Sequence, residues 1–474
     1  MFTSRQAATV FFTCICLYVF CIIGIEVNWS GVINNYASNI KSTQHDQCSN
    51  DECSYIDSSY AETFNDMTRS IISRIGLSSD PQDECFLRDK LEKTGMPILH
   101  SVFVDSITRE VIFNGVLRGY FDSYDSDLFE CEFQVDEYEY IVTMTDPILR
   151  DFRRFGDETQ YSVIITCPLP EQMFGRPQFK MALSRASNTS FRYDDITVCQ
   201  TATNETSTYF LTMCTMTKNM DKSIPDWLAY HKFLGVQHVF IYDNSDKTTL
   251  PRTTRHYVEK GFLTIIPWAH QHSSNKTYLE VQIASENDCM WRNRHTSHWI
   301  IKIDVDEFLQ PMDPTRPKIP QYLRDRRFQI DKLGSLRIQN WFFCPHDNKA
   351  AARAHLRSLK PRSWSVFERN FLREREPTLV NRGRDKAIIR PNNIHYYKIH
   401  GIKLGGDTLT LSPTTELRLV HYRGDSRRHI GFCPSHRLVF DVSMITLWYQ
   451  LHRANMNRLN NDLKRMKDEL TSKV

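Results

Sequence analysis

The sequence predicts an α/β body preceded by a small β-rich domain and an N-terminal transmembrane helix. Three features of the chain point that way. An uncharged apolar run fills residues 7–25, short β-favouring segments between Asp, Gly and Pro breaks run from Pro97 to Leu183, and strand and helix patterns alternate from Tyr209 onward. At 474 residues, 41% hydrophobic and 24% charged, the chain is long enough for two or three domains, and its globular composition excludes wholesale disorder and low-complexity architectures. Lys and Arg number 59 against 56 Asp and Glu, a formal net charge of +3, so charge gives no reason to expect a nucleic-acid partner.

The first element is the stretch from Ala7 to Ile25, whose 19 residues carry no charge. At 1.5 Å per residue it nearly spans a hydrocarbon core of about 30 Å. A cleavable signal peptide would have a shorter apolar stretch and a small-x-small exit, which the residues around Ile25 supply poorly. Arg5 precedes the run and Glu26 follows it, so the positive-inside rule leaves residues 1–6 as a cytosolic tail and puts the rest of the chain outside, in type II topology. Of 13 cysteines, Cys14, Cys16 and Cys21 lie in the anchor. The other ten show no paired CxxC array, so disulfides are expected rather than zinc, with the pairing unreadable. N-glycosylation sequons at Asn28, Asn188, Asn204 and Asn275 agree with a lumenal body.

Residues 26–83 are polar and rich in Ser, Asp and Asn, and are read as a stem. Residues 84–187 form the β-rich domain. Within it, Phe121 to Tyr140 holds eight acids and no Lys or Arg, but the acids alternate with apolar residues, as on a half-exposed strand rather than a calcium loop. The Thr-rich stretch 188–208 reads as a linker. In the body, residues 209–439, the expected elements are a strand over Tyr209 to Asn219, a helix from Pro225 to Leu234 closed by Gly235, and a strand ending at Asp243, Asn244 and Ser245. A third strand at Phe262 to Trp268, a helix from Tyr278 to His295 and a fourth strand from His298 to Leu309 follow. Residues 440–474 are expected to form a docked C-terminal helix. In a parallel sheet covered by helices, ligands bind beyond the carboxyl ends of the strands, which makes those ends informative.

Asp304, Asp306 and Glu307 follow the apolar run Trp299 to Ile303, interrupted only by Lys302. Burying three carboxylates unpaired is costly. At alternate positions of an extended chain, Asp304 and Asp306 would point to one side and could hold a divalent ion whose shell is completed by diphosphate oxygens.

Four blocks, in order, resemble glycosyltransferase family 92. They are Lys218-Asn219 with Asp226 to Val236 and Val239 to Ser245; Trp299 to Leu309, preceded by Asn287-Asp288-Cys289; Lys386 to Pro391, leading to His400; and His421-Tyr422-Arg423. The resemblance implies a GT-A-type, Rossmann-like nucleotide-sugar transferase domain. It further implies a Golgi enzyme that moves a hexose, galactose before others, from a UDP-sugar donor to a glycan acceptor with inversion, using Mn²⁺ or Mg²⁺. On this resemblance, Lys218, Asp243, Asn244, Asp304, Arg390 and Arg423 contact the donor. Asp304 and Asp306 meet the metal, with His421 or His400 as a further ligand. The general base is sought among Asp347, Glu368 and Glu307. Two departures stand out: Met220 where an acid is expected, and the segment Asn340 to Asp347, which lacks the glycine-rich run of relatives. They motivate the alternative of a lumenal glycan-binding protein on a transferase fold that has lost turnover.

Overall fold

The computed structural model describes residues 91–118, 128–145, 149–155, 158–199, 208–245, 249–268, 279–344, 366–375, 384–422 and 438–451. The expected cytosolic tail, anchor and stem lie outside them. All described residues belong to one compact unit, Arg69–Val474. Among them no helix is long and apolar enough to cross a membrane.

The β-rich region is a sandwich of two antiparallel four-stranded sheets. One has the order β1 (Ile98–Asp105), β2 (Glu110–Arg118), β6 (Glu158–Pro168), β5 (Leu149–Phe155). The other runs β4 (Tyr140–Met144), β3 (Phe129–Gln134), β7 (Gln178–Arg185), β8 (Asn188–Cys199). Strand β3 alternates buried Phe129, Cys131 and Phe133 with half-buried Glu130, Glu132 and Gln134, the period-two pattern of a strand with one face in the core. Of the acid-rich stretch, the part within β3 is therefore a strand face. The disulfide Cys131–Cys167 ties the two sheets together. Residues 188–199, expected in a linker, instead form β8, paired antiparallel with β7 through two irregularities of register. Their Thr, Tyr and Val content suits a pleated surface, and buried Tyr193, Ile196 and Val198 complete the sandwich core.

The body opens with β9 (Tyr209–Thr217), α1 (Ile224–Phe233), β10 (His238–Asp243), β11 (Leu263–Pro267), α2 (Leu279–Arg292) and β12 (Ser297–Lys302). Pro225 lies in the first turn of α1, and Gly235, at φ +98°, turns the chain out of it; a side chain there would also strike the ring of Pro320. Strand β10 is buried at every position, as a central parallel strand covered on both faces should be. The seven-stranded sheet has the order β11-β10-β9-β12-β17-β14-β20, with β14 at Leu333–Ile338, β17 at Lys386–Ile389 and β20 at Asp407–Thr410. Strands β11, β10, β9 and β12 are parallel, and β17 runs antiparallel to its neighbours β12 and β14. The sheet is thus mixed, and its parallel half carries the strand ends singled out in the sequence.

The fourth expected strand, His298 to Leu309, is two strands. After β12 the chain turns at Asp304 to Glu307, where the Glu307 N–H donates to the Asp304 carbonyl at 3.0 Å. It re-enters as β13 (Glu307–Pro311) in a second sheet. That sheet has the order β13-β21-β15-β16-β22, with β15 at Asn340–Cys344, β16 at Leu372–Glu374, β21 at Leu417–Tyr422 and β22 at Leu438–Phe440. Asp304 and Asp306 therefore sit in a turn between sheets rather than on one extended strand. The Glu307 carboxylate accepts the otherwise unpaired Asp304 N–H at 2.8 Å, which local hydrogen bond favours the turn over a continued ladder. From the C-terminal stretch, α3 (Ser443–Leu451) places Met444, Ile445 and Trp448 in the main core, and residues beyond 451 lie outside the description.

The sandwich is docked on the body. Phe103, Ile112, Val116 and Ile164 share a core with Ile283, Ala284 and Met290 of α2. The buried Arg294 guanidinium meets Asp105 of β1 at 3.0 Å, and Asn114 of β2 donates to the Ala284 carbonyl at 2.9 Å.

Candidate functional site

Parallel strands β10, β9 and β12 end on the same edge of the sheet. Asp243 is level with Thr217, and Lys302 with Cys214, so Lys218, Asn244 and Asp304 all leave the sheet on that side. With about 4.8 Å between strands, the ends of β10 and β12 are about 10 Å apart, a span a nucleotide can bridge.

At the β12 end the second sheet supplies the partner. Glu307 and His421 face each other across β13 and β21, and the Tyr422 N–H donates to the Asp306 carbonyl at 2.9 Å. This register brings His421 Nε2 to 3.3 Å from Asp306 Oδ2. The other ring nitrogen, Nδ1, lies 3.2 Å from Asn340 Oδ1 and 3.4 Å from Glu307 Oε1. Burial opposes a charge on His421, but Asp306 and Glu307 outweigh it and hold the imidazole pKa above its ordinary value. Burial acts against the Asp306 charge as well, and His421 overrides it and keeps that carboxyl below its ordinary value.

Helix α1 fixes the other edge of β13. Trp227 Nε1 donates to the Glu307 carbonyl at 2.9 Å, and the Tyr230 hydroxyl to the Leu309 carbonyl at 2.7 Å. His231 stacks on Phe308 between them. Residues three and four apart on one helix face thus meet carbonyls two apart on a strand, and the strand cannot slide without breaking both bonds.

Behind the turn lies a buried polar layer. Lys386 Nζ is 2.8 Å from Asp304 Oδ2 and 3.7 Å from Glu307 Oε2. Gln282 of α2 donates to Asp304 Oδ1 at 3.1 Å and to Glu286 Oε1 at 3.3 Å, and Lys302 donates to the Glu286 carbonyl at 2.9 Å. Burial pushes the carboxyls of Glu286 and Glu307 up to about 7 and the Lys302 amine down to about 8. Lys386 is buried too, yet Asp304, Glu307 and Glu286 hold its amine well above the ordinary value. Asp304 and Asp306 remain the exposed members, their side chains 36% and 38% accessible against 1% for Glu307.

A divalent ion suits part of this arrangement. Ligands about 2.1 Å from an ion and at right angles stand about 3 Å apart, close to the Asp306–His421 separation, and an imidazole with a carboxylate is a fitting donor pair. Both Asp304 oxygens are already engaged by Lys386 and Gln282. Among the described residues no group of three or more His, Cys, Asp or Glu side chains is arranged to hold a metal. The described residues thus offer two donors.

At the β10 end, Asp243 Oδ1 accepts the Ser245 N–H at 3.1 Å, an Asx turn, and the Asn244 N–H donates to the Thr217 carbonyl at 2.8 Å. Asn219, at φ +57°, donates its N–H to Ser245 Oγ at 2.9 Å and joins the two loops. Asn244 Nδ2 and Thr217 Oγ1 are buried without a hydrogen-bond partner, the state of polar atoms that a ligand would satisfy. Lys218 and Met220 are exposed at the rim. Asp221, one residue beyond the position where an acid is expected, is occupied at Oδ2 by the Thr249 N–H and hydroxyl.

Of the residues expected from sequence, Asp304, Asp306, Glu307 and His421 are brought together, and Asp243 and Asn244 lie on the same edge. Glu307 is buried behind the turn rather than in the cleft. His400 Nδ1 instead faces the Asp385 carbonyl at 3.1 Å, and burial lowers its pKa to about 4. Arg390 is not part of the cluster. It stacks over Trp299, toward the opposite end of β12, and donates to the carbonyls of Phe328 and Ile330. Lys386, four residues earlier, is the cation of that block that reaches the carboxylates. Glu368 belongs to the short helix Val366–Arg369, its side chain outside the described residues, and Asp347 and Arg423 lie outside them altogether. Sequence reasoning also passed over Lys386, Gln282 and Asn340. A usable signal was present in Lys302 and Lys386, each next to a run of β-branched and small apolar residues, because a lysine within a buried strand needs acidic partners.

A family model for glycosyltransferase family 92 matches residues 209–474. A family 92 protein of Ricinus communis is 26% identical over 234 residues, covering 44% of this chain and 36% of the relative. A galactan β-1,4-galactosyltransferase of Arabidopsis thaliana is 26% identical over 208 residues, covering 42% and 38%. These alignments span well under half the length of the curated relatives. Among solved structures, glucosyl-3-phosphoglycerate synthase from Mycobacterium tuberculosis, in complex with Mn²⁺, UDP and glucosyl-3-phosphoglycerate, aligns at 9% identity over 45% of this chain and 72% of that one. Its TM-score is 0.25, too low to bear on fold or ligands.

Proposed function

Because the chain belongs to glycosyltransferase family 92, we propose that it is a metal-dependent, inverting glycosyltransferase of GT-A type that moves a hexose from a UDP-sugar to a glycan acceptor. The observation that carries this reading is the Asp306–His421 pair beside Asp304 at the edge where β9, β10 and β12 end. Galactose is the proposed sugar, in keeping with the Arabidopsis relative's name.

On this reading Asn244 Nδ2 and Thr217 Oγ1 bind the nucleoside, which satisfies their unpaired polar atoms. Asp304, held by Lys386 and Gln282, accepts from the ribose with its remaining lone pairs. Asp306 and His421 would hold Mn²⁺ or Mg²⁺, which supplies charge neutralisation for the diphosphate leaving group. Lys218, exposed at the same edge, adds a positive charge for the diphosphate. A carboxylate, Asp347 or Glu368, takes the proton from the acceptor hydroxyl as that oxygen attacks the anomeric carbon from the face opposite UDP. Glu307 serves as a support for the turn.

We further propose a type II protein of the Golgi membrane, anchored by residues 7–25 with its body in the lumen. The disulfides Cys131–Cys167 and Cys214–Cys289, and disulfide bonding of Cys199 and Cys344, support an oxidising compartment. The donor is tested by incubating the purified full chain with UDP-galactose, UDP-glucose or UDP-N-acetylglucosamine and measuring free UDP. Release from UDP-galactose above the others is expected. Glycan binding with no nucleotide binding or release would overturn the reading in favour of a glycan-binding protein.

A further inference from the structure

The turn Asp304 to Glu307 gathers three carboxylates, yet offers a cation only one of them. Asp304 has both oxygens engaged, Oδ2 by Lys386 at 2.8 Å and Oδ1 by Gln282 at 3.1 Å. Glu307 Oε2 accepts the Asp304 N–H and lies 3.7 Å from Lys386, while its Oε1 faces His421. Only Asp306 keeps its carboxylate clear of Lys386 and Gln282, with His421 as its neighbour. Lys386 is responsible for much of this division. It stands at the start of β17, buried on the antiparallel neighbour of β12, and its ammonium faces both Asp304 and Glu307.

We propose that Lys386 makes cation binding depend on the diphosphate. This rests on the transferase reading above and specifies how the same site is regulated. By pairing with Asp304, beside a Glu307 that is buried and bonded to the turn, Lys386 leaves a free cation with one carboxylate and one imidazole, too few donors for firm binding. Diphosphate oxygens complete the shell, so ion and donor enter and leave as a unit. By linkage, each raises the affinity for the other by the same factor. Without the lysine, Asp304 Oδ2 is released to join Asp306, and the ion binds whether or not a nucleotide is present.

The test is a titration of the full chain with Mn²⁺ alone and again with saturating UDP, reading free Mn²⁺ by electron paramagnetic resonance. For the unaltered chain, UDP should strengthen Mn²⁺ binding about tenfold or more. Lys386→Gln should bind Mn²⁺ alone about tenfold more tightly than the unaltered chain and lose most of the gain from UDP. Lys386→Arg, which keeps the charge, should restore the dependence. Gln282→Leu frees one oxygen of Asp304 while leaving Lys386 paired with it, so it should move both readings the same way by a smaller factor. It decides the matter if Lys386→Gln does not fold. Unchanged or weaker binding of Mn²⁺ alone in folded Lys386→Gln or Gln282→Leu overturns the inference while leaving the transferase reading intact. An unaltered chain that binds neither Mn²⁺ nor UDP overturns both.

Discussion

Glu286 illustrates how a buried acid leaves a mark on the pH dependence of a fold. Its Oε1 accepts from Gln282, its Oε2 has no hydrogen-bond partner, and burial raises the carboxyl from an ordinary 4.5 to about 7 despite Lys302 and Lys386 nearby. A raised acid favours the folded state when protonated, so its contribution is complete below about pH 4.5 and is lost as pH rises through about 7. Glu286→Gln removes that loss. The melting temperature of the variant, relative to the unaltered chain, should therefore be higher at pH 8 than at pH 5, as read by circular dichroism; a difference that does not change with pH contradicts the assignment. Asn340 makes the second prediction at this scale. It orients His421 through Nδ1, and the loss of such a partner commonly costs about 10–100-fold in metal affinity or activity. Asn340→Ala should raise the Mn²⁺ concentration needed for half-maximal UDP release, an effect that the isosteric Asn340→Asp should partly undo. Residue types were legible in the sequence only where the chain clusters them. Asp304, Asp306 and Glu307 are adjacent, whereas Lys386 reaches Asp304 from 82 residues away and Asn340 reaches His421 across 81.

Among the elements, α1 and β13 form the clamp on which the site's register depends. Tyr230→Phe keeps the ring packing against Phe308 and Phe367 and deletes the bond to the Leu309 carbonyl, together with the weak contact to the Met444 sulfur at 3.7 Å. A buried hydrogen bond is worth about 1 kcal/mol, and its loss here leaves a carbonyl unpaired, so a destabilisation of about 1–2 kcal/mol is expected in denaturant melts. Stability unchanged within about 0.3 kcal/mol would show that the strand is held by other contacts. The helix and the parallel strands were readable because their apolar periodicity is strong and Pro225 and Gly235 mark the ends of α1. The break between β12 and β13 was not. Ile303, Val305 and Phe308 are all buried, so the turn residues carry the apolar signal of a continuous strand. Strand β8 was hidden for the opposite reason, since the exposed face of an edge strand resembles a polar linker.

At the scale of the described residues a sandwich packs directly on an α/β body through a shared core, and the disulfide Cys214–Cys289 staples strand β9 to α2 between them. It closes a loop of 75 residues, for which chain entropy gives about 4 kcal/mol. The Cys214→Ser, Cys289→Ser double variant should lose stability on that scale and, if secreted, yield little folded protein. Equal melting temperatures with and without the bond would contradict this. The even cysteine count forecast oxidised pairs, but their partners depend on a topology that brings β9 beneath α2, which spacing along the chain does not disclose. The four family blocks matched the body and left the sandwich undescribed, because its eight short strands carry no chemical motif. The proposed role of the Asp306–His421 pair is nucleotide-sugar chemistry. It is tested most directly by release of UDP from the donor by the full chain, with Mn²⁺ or EDTA, beside Asp306→Ala. The account predicts release that requires Mn²⁺ and falls by at least about 100-fold in the variant; release that survives EDTA, or that Asp306→Ala leaves unchanged, would contradict it.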